Sequence, residues 1–434
     1  MIPLVERVQF ISALRSRPFA LLWIGQTISV LGNGAFTIAL AWEVLLLTRS
    51  ATAMGVVILA QTIPMLLFLL IGGVASDFLP RRLLMLWSDA GRAVILILIV
   101  GLSWFHLLQL WHLVTLSFCF GFIKCFFDPA YQAIRPQLVE SDNLSSANSL
   151  TALSRQLGSM LGPLLGAGGI ALVGIAGTFA FDGLTFIFSA FCLFAIRVPL
   201  APSPQSAFHY KKPKDVFKLR TSFSLGQGAR RMIVEVLEGL RYVRSSRWLW
   251  ISIIVASIGN IGYAASLTVA LPKLVHDVYG AGAWLLGVIS TVNAIGAIIA
   301  TIVITQLNRF RKRGILAYAT LIVFSIALTT MGIPLPRVSE IPVALLASTL
   351  VGFGLAAFDI IWVTVLQEIV PNDKLGRVSS IDTFVSFVFM PLGYVLGGVF
   401  ADRIGPSWVF VVGGVLNFVV IVTALCLRDV RQLE

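Results

Sequence analysis

Apolar residues occur along this chain in long runs, not in alternation. The runs recur from end to end and are divided by short polar or basic connections. Each is long enough, at about eighteen residues or more, to cross a hydrocarbon core as a helix. The pattern predicts helical spans over 18–43, 51–75, 83–104, 108–130, 149–174, 177–197, 248–272, 284–307, 314–334, 341–367, 378–401 and 406–427. Barrel strands would alternate polar and apolar positions over about ten residues, and no such alternation is present. The expected fold class is an all-α membrane protein with twelve transmembrane helices in two pseudo-symmetric six-helix bundles.

One interval breaks the rhythm. Residues 198–247 begin with a Pro/Ser stretch and continue through Lys211, Lys212, Lys214, Lys218 and Arg220. From Ala229 to Arg247 a helical period returns, with Ile233, Val236, Leu237, Leu240 and Val243 on one face. This predicts an amphipathic helix on the inner membrane surface. Its basic charges serve either to fix topology or to bind anionic lipid. The expected organisation is a first bundle over 1–197, a linker over 198–247 and a second bundle over 248–434.

The two bundles repeat each other. The stretch from Phe127 to Gly166 has the same layout as that from Phe358 to Gly397. Asp359 minus Asp128, Gly393 minus Gly162 and Gly397 minus Gly166 each give 231. In the first span of each half, Gly32-Asn33 answers Gly259-Asn260. A parallel duplication of this kind suits a transporter that binds its substrate near the midplane between the halves.

Composition agrees. Of 434 residues, 58% are apolar and 12% charged, about half the charged share of a soluble domain. The net charge of +12 does not point to nucleic acid, because Lys and Arg gather in alternate connections. If the N-terminus is cytoplasmic, the outer segments hold only Arg49, Lys273, Arg337 and Arg403. Both termini are therefore expected inside, in a cell inner (cytoplasmic) membrane. The apolar run after the basic residues 1–17 has no small-residue cleavage site and is expected to be a retained first span. Cys119, Cys125, Cys192 and Cys426 lie in or at the ends of spans without metal-ligand or disulfide spacing, and are expected to be free packing thiols. There is no P-loop and no metal-ligand spacing among the four histidines. No enzyme, cofactor or metal is expected.

At the inner end of span 2 stands Gly73-Val-Ala-Ser-Asp77-Phe-Leu-Pro-Arg81-Arg82. It resembles the loop 2–3 motif of the major facilitator superfamily at Gly73, Asp77, Arg81 and Arg82. It departs at Phe78 and Pro80, where Arg and Gly are usual. The resemblance implies a cytoplasmic latch between the halves; plain topology charge is the alternative for Asp77, Arg81 and Arg82. Asp128, at the inner end of span 4, is placed to partner Arg81. The repeat then predicts a corresponding pair, Lys312 with Asp359. Gly158-x-x-x-Gly162-Pro163-x-x-Gly166 on span 5 resembles the motif of the family's antiporters. Its glycines make a flat strip for a neighbouring helix, and Pro163 bends the helix. Generic tight packing is the alternative. The stretches FFDPAYQAIRPQLV and MPLGYVLGGVFADRIG are similar to the branch holding macrolide-efflux proteins and the enterobactin exporter. That resemblance implies secondary active, proton-coupled efflux of a small amphiphilic substrate by a protein working as a monomer among membrane lipids. The alternatives are a lysolipid or other solute transporter or uniporter on the same fold, and a non-transporting membrane sensor or scaffold.

Ionisable groups within spans are costly and mark functional candidates. Lys124 and Asp128 are four apart and placed to pair. Arg155 lies in the first turns of span 5. Asp182 and Glu43 fall near the outer ends of spans 6 and 1, as proton-coupling acids or as exposed rim charges. Asp382 is expected in the first turn of span 11. Asn33 and Asn260 sit centrally in spans 1 and 7, lining the cavity or hydrogen-bonding between helices. Gly398-x-x-x-Asp402-Arg403-x-Gly405 repeats the loop motif on the outer side and is expected to be a helix end.

Overall fold

The computed structural model describes residues 11–196, 238–306 and 313–431. Two predicted latch groups, Lys312 and the side chain of Asp77, lie outside the described residues, as does the linker before Glu238. Among the described residues, eleven helices are long and apolar enough to cross a membrane. The amides of such runs can be satisfied in lipid only within helices. We number the rods α1 (Arg17–Thr48), α2 (Ala51–Phe78), α3 (Arg81–Trp104) and α4 (Leu110–Leu138). The next segment, Leu144–Ala195, turns at Gly174 (φ 74°, ψ 179°), so its arms are α5 (144–173) and α6 (175–195). The second bundle holds α7 (Arg247–Tyr263), α8 (Ala283–Gln306), α9 (Arg313–Gly332), α10 (Arg337–Ile369), α11 (Asn372–Val388 and Met390–Ile404) and α12 (Pro406–Leu425).

Several ends differ from the sequence reading. The first helix runs past Glu43 to Thr48 and closes on Arg49 in the left-handed conformation. Ser50 then caps α2, its Oγ accepting the Ala53 amide at 3.2 Å. The fourth helix continues through Pro129 and Pro136 to Leu138. The eleventh starts at Asn372, so Asp382 is in its third turn and not its first. Pro391 starts a new helical segment after a break at Phe389. Beyond Tyr263, α7 continues as wider π-helical turns at Ala264–Ala270 and Leu274–Val278. Of the amphipathic segment, residues 238–245 are helical. They lie against α11: Glu238 pairs with Arg377 at 2.7 Å, and Lys374 stands 5.0 Å from the Tyr242 ring. All four cysteines are free.

Large apolar side chains point outward around the bundle, among them Leu67, Leu172, Phe191 and Val338. So much exposed hydrocarbon belongs against lipid tails. Inside, the core is continuous at one end only. Around Leu40, Val57, Val269, Leu271 and Leu286 one apolar cluster joins both bundles. Towards the end that carries the described termini it divides, with one cluster inside each bundle. We call the joined end distal. The repeat is visible in the packing. Gly162 lies on Leu31 and Gly34, while Gly393 lies on Ile261 and Ala264. Gly121 meets the Gln61 carbonyl, and Gly352 meets that of Asn293.

Candidate functional site

Where the core divides, a cavity of about 950 Å³ opens between the bundles. Helices from both halves line it, but unequally. The first half supplies every charged liner: Arg92, Lys124, Asp128 and Arg155. The second half supplies Tyr263, Leu267, Thr268, Leu271, Pro272, Leu286 and Ser290. Leu267 and Thr268 fall in the first of the wide turns of α7, a geometry that often accompanies functional sites.

Lys124 and Asp128 share one face of α4 and both face the cavity, yet they form no ion pair with each other. Asp128 does not meet Arg81 either. The guanidinium of Arg81 instead donates to the carbonyls of Ala133 at 2.7 Å and Ser76 at 3.3 Å. Arg82 donates to Leu193 and Phe194 at the end of α6, at 2.8 and 2.6 Å. These two arginines therefore tie α4 and α6 to the start of α3 within one half. An arginine near a helix end can donate to the last carbonyls of that helix. Gly73 has open space where a side chain would begin. In the second half Asp359 is exposed, and Arg313, next to Lys312, pairs with Glu368.

The groups the sequence reading missed are Asp89 and Arg92 on α3. Their side chains are 0% and 4% exposed and form an ion pair one turn apart. Arg92 lies between aromatic rings, its Cζ 4.3 Å from the centroid of Phe186 and 4.4 Å from that of Phe127. Cation–π attraction adds to the pairing there. Asp89 also accepts the Ser189 hydroxyl at 2.6 Å, and Ser189 receives the Gln26 amide at 2.7 Å. Two opposite charges three residues apart inside one apolar span were the signal for this pair.

Asp182 stands beside this network, within electrostatic reach of Arg92 and Asp89. It is fully buried, not an exposed rim charge. Because α6 begins after Gly174, Asp182 lies two turns into the helix. Its Oδ1 accepts Thr185 Oγ1 at 3.2 Å, while its Oδ2 has no hydrogen-bond partner. Gly32 on α1 leaves room for it, since a Cβ there would collide with the carboxylate. Glu43 lies elsewhere, lining a smaller distal pocket with His106 and Trp104. The two central asparagines divide their roles. Asn33 lines the cavity and donates to Ser29 of its own helix, whereas Asn260 donates across to the Ser386 carbonyl at 2.9 Å.

The glycine strip of α5 is a contact surface on two sides. Gly158, Gly162 and Gly166 lie against Val30, Gly34 and Ala35 of α1. Pro163 presents its carbonyl to Gly287 of α8, and Thr291 of α8 donates to the Met160 carbonyl at 2.9 Å. The related contact is Gly55 of α2 against the carbonyl of Tyr394 on α11. Pro163 and Tyr394 are again 231 apart.

At the distal end the second Gly-x-x-x-Asp motif joins the halves. Asp402 was expected only to mark a helix end. Instead its carboxylate accepts the amides of Ala51 and Thr52, each at 2.9 Å, and the hydroxyl of Ser50 at 2.6 Å. It thus caps α2 from the opposite half, where a helix N-terminus favours negative charge. Lys273 donates to the Arg49 carbonyl at 2.9 Å, and Arg49 to His276 Nε2 at 2.7 Å. With the bond from Thr291, these hydrogen bonds cross between the halves.

Comparison with known proteins places the whole chain. Macrolide efflux protein A of Streptococcus pyogenes is 21% identical, over 96% of this chain and 97% of its own. The multidrug efflux pump Tap of Mycolicibacterium fortuitum is 25% identical over 93% and 94%. The enterobactin exporter EntS of Citrobacter koseri is 24% identical over 97% and 95%. In fold, the chain is similar to a bacterial homologue of the iron transporter ferroportin, crystallised in an inward-facing state. The TM-score is 0.70, with 14% identity, over 94% of this chain and 98% of that one. The sequence profile described as Major Facilitator Superfamily matches residues 22–388 and 319–433. With that match, two related bundles and a cavity between them, the chain belongs to the Major Facilitator Superfamily and is a transport protein, not an enzyme.

Proposed function

We propose that this transporter exports amphiphilic small molecules in exchange for protons. The chain crosses the membrane twelve times, with the angle at Gly174 separating two of the crossings. Both termini are cytoplasmic, so the distal end faces outward and the cavity opens to the cytoplasm. The halves rock about the cavity, alternately closing the distal contacts and those of the loop that carries Asp77, Arg81 and Arg82. The protein works as a monomer.

The observation that carries the coupling is Asp182. One of its carboxylate oxygens is buried without a partner, next to a charged pair whose arginine reaches the cavity. A proton held on that oxygen and its loss present Arg92 with two different neighbours. Such a change can bias where Arg92 sits and how the cavity wall is charged. The names of the efflux relatives support the direction of transport.

Proteoliposomes with a pH dye in the lumen test this. A transported amphiphile should move protons in the opposite direction. Asp182→Asn should abolish proton movement and accumulation while leaving exchange of labelled for unlabelled substrate. Full gradient-driven accumulation by that variant would remove Asp182 from the coupling. Transport that ignores a collapsed gradient would refute proton exchange altogether.

A further inference from the structure

One of the bonds that close the distal end runs through an imidazole. Arg49, in the turn between α1 and α2, donates from Nη1 to His276 Nε2 at 2.7 Å. A guanidinium has donors only, so Nε2 carries no proton in this contact. The ring proton is then on Nδ1, which faces Asp277 Oδ1 at 2.7 Å. The closed arrangement therefore holds a neutral imidazole. The side chain is 29% exposed, so water at the distal face reaches it. Histidine is the side chain whose charge ordinarily changes between about pH 5 and 8.

The groups around the ring come from both halves. Lys273, on the same segment, pairs with Asp277 at 3.1 Å and stands 3.7 Å from Asp402 of α11. Trp42 of α1 has its ring centroid 5.9 Å from that of His276. An imidazolium is attracted by Asp277 and by the Trp42 ring and repelled by Lys273 and Arg49. Among the described residues, Arg49 has no carboxylate within ion-pair distance that would hold it in place instead. A proton on Nε2 turns the acceptor into a donor and sets it against the guanidinium, like charge against like charge.

We infer that His276 is a proton-operated release of the distal closure. Protonation from the distal face breaks the bond to Arg49 and loosens the halves there. Loss of the proton restores the acceptor and lets the end close. The bonds from Lys273 to the Arg49 carbonyl and from α2 to Asp402 do not use the imidazole, so the release weakens the end without dismantling it. By linkage, the open state binds this proton more tightly by the same factor that the proton favours opening. The inference goes beyond the exporter reading and stands without it; only the compartment that operates the release follows from the orientation proposed there.

Distances across the distal end test it. The full chain, with encoded spin labels at the distal ends of α4 and α8, is placed in lipid nanodiscs, which carry no gradient. Lowering the pH from 8 to 5.5 should raise the ratio of long to short distances about fivefold, the size of one exposed charged contact. His276→Gln accepts from Arg49 and donates to Asp277 but takes up no proton. It should stay closed at both pH values and lose that fivefold response. Arg49→Met should be more open than wild type at pH 8 and respond little to acid, since the imidazolium then has no guanidinium to displace. A wild type that does not respond to pH would overturn the inference, and so would an equal response in His276→Gln. An Arg49→Met variant that is closed at pH 8 and opens in acid like wild type would overturn it as well. Absence of proton exchange in proteoliposomes would refute the exporter reading and leave this result standing.

Discussion

Gly287 stands against the carbonyl oxygen of Pro163, and a Cβ in place of its hydrogen would lie 2.7 Å from that oxygen. The contact crosses between halves, as does its pseudo-symmetric counterpart, Gly55 against Tyr394. Alanine at either position forces backbone apart. Overpacking of this kind costs about 1–3 kcal/mol, and the least costly relief is to separate the halves at the distal end. Gly287→Ala and Gly55→Ala are expected to favour the state open at that end. Spin-label distances across the distal ends of α2 and α11 should lengthen or broaden. Unchanged distances in both variants would mean that the helices absorb the methyl groups by local adjustment.

Asp402 holds the same end by charge. It gives the amides of Ala51 and Thr52 an acceptor and places a negative charge at the start of α2. Asparagine can accept on one side only and turns its amide hydrogens towards a donor on the other. The loss should be about 1–2 kcal/mol, or roughly tenfold in the opening equilibrium. Hydrogen exchange at the amides of residues 51–53 reads this directly. It should quicken in Asp402→Asn, and an unchanged rate would show that the cap does not hold the end closed.

The sequence pattern made the broad architecture legible because lipid leaves the chain so few options. Long apolar runs can only be helices there, and a constant offset of 231 can only be a repeat. The glycines of α5 were legible for a related reason: spacing by four puts them on one face, and only small residues permit the approach seen between Gly162 and Gly34. What could not be read was which distant element each charge meets. Asp402 resembles a helix end until the start of α2 is known to lie beside it. Arg81 has acids within reach in sequence, yet it satisfies carbonyls of a neighbouring helix end. Asp182 is near the start of its span, but the angle at Gly174 carries it inward behind Gly32. Asp89 and Arg92 were the exception, since their spacing within an apolar run was itself a readable sign.

The glycine strip should tolerate no methyl group where it touches α1. In Gly162→Ala the new Cβ would lie 2.7 Å from the Cα of Gly34, and backbone atoms cannot turn aside. A cost of about 1–3 kcal/mol is expected. Gly168, on the same helix, has nothing within 4 Å of the equivalent position. Gly168→Ala should be neutral or stabilising, because alanine is the better helix former by up to about 1 kcal/mol. Thermal unfolding in detergent should rank Gly162→Ala well below wild type and Gly168→Ala at or above it. The reverse order would contradict the packing of α5 on α1.

The buried pair on α3 offers a test in which two changes are milder than one. Removing one member of a buried ion pair leaves the other charged and unsolvated, at a cost of about 3–5 kcal/mol. Asp89→Asn keeps the shape but strands Arg92 between Phe127 and Phe186. Arg92→Met strands Asp89, which keeps neutral partners such as the hydroxyl of Ser189. Each single variant should unfold at markedly lower temperature. The double variant removes both charges and should recover more than half of the loss, since a buried pair replaced as a whole is often close to neutral in stability. Transport should not recover with it if Arg92 answers the proton on Asp182, because the double variant has lost the group that responds. A double variant as unstable as the sum of the single ones would mean that the two side chains act independently. One that regains both stability and gradient-driven transport would make the pair a structural feature alone.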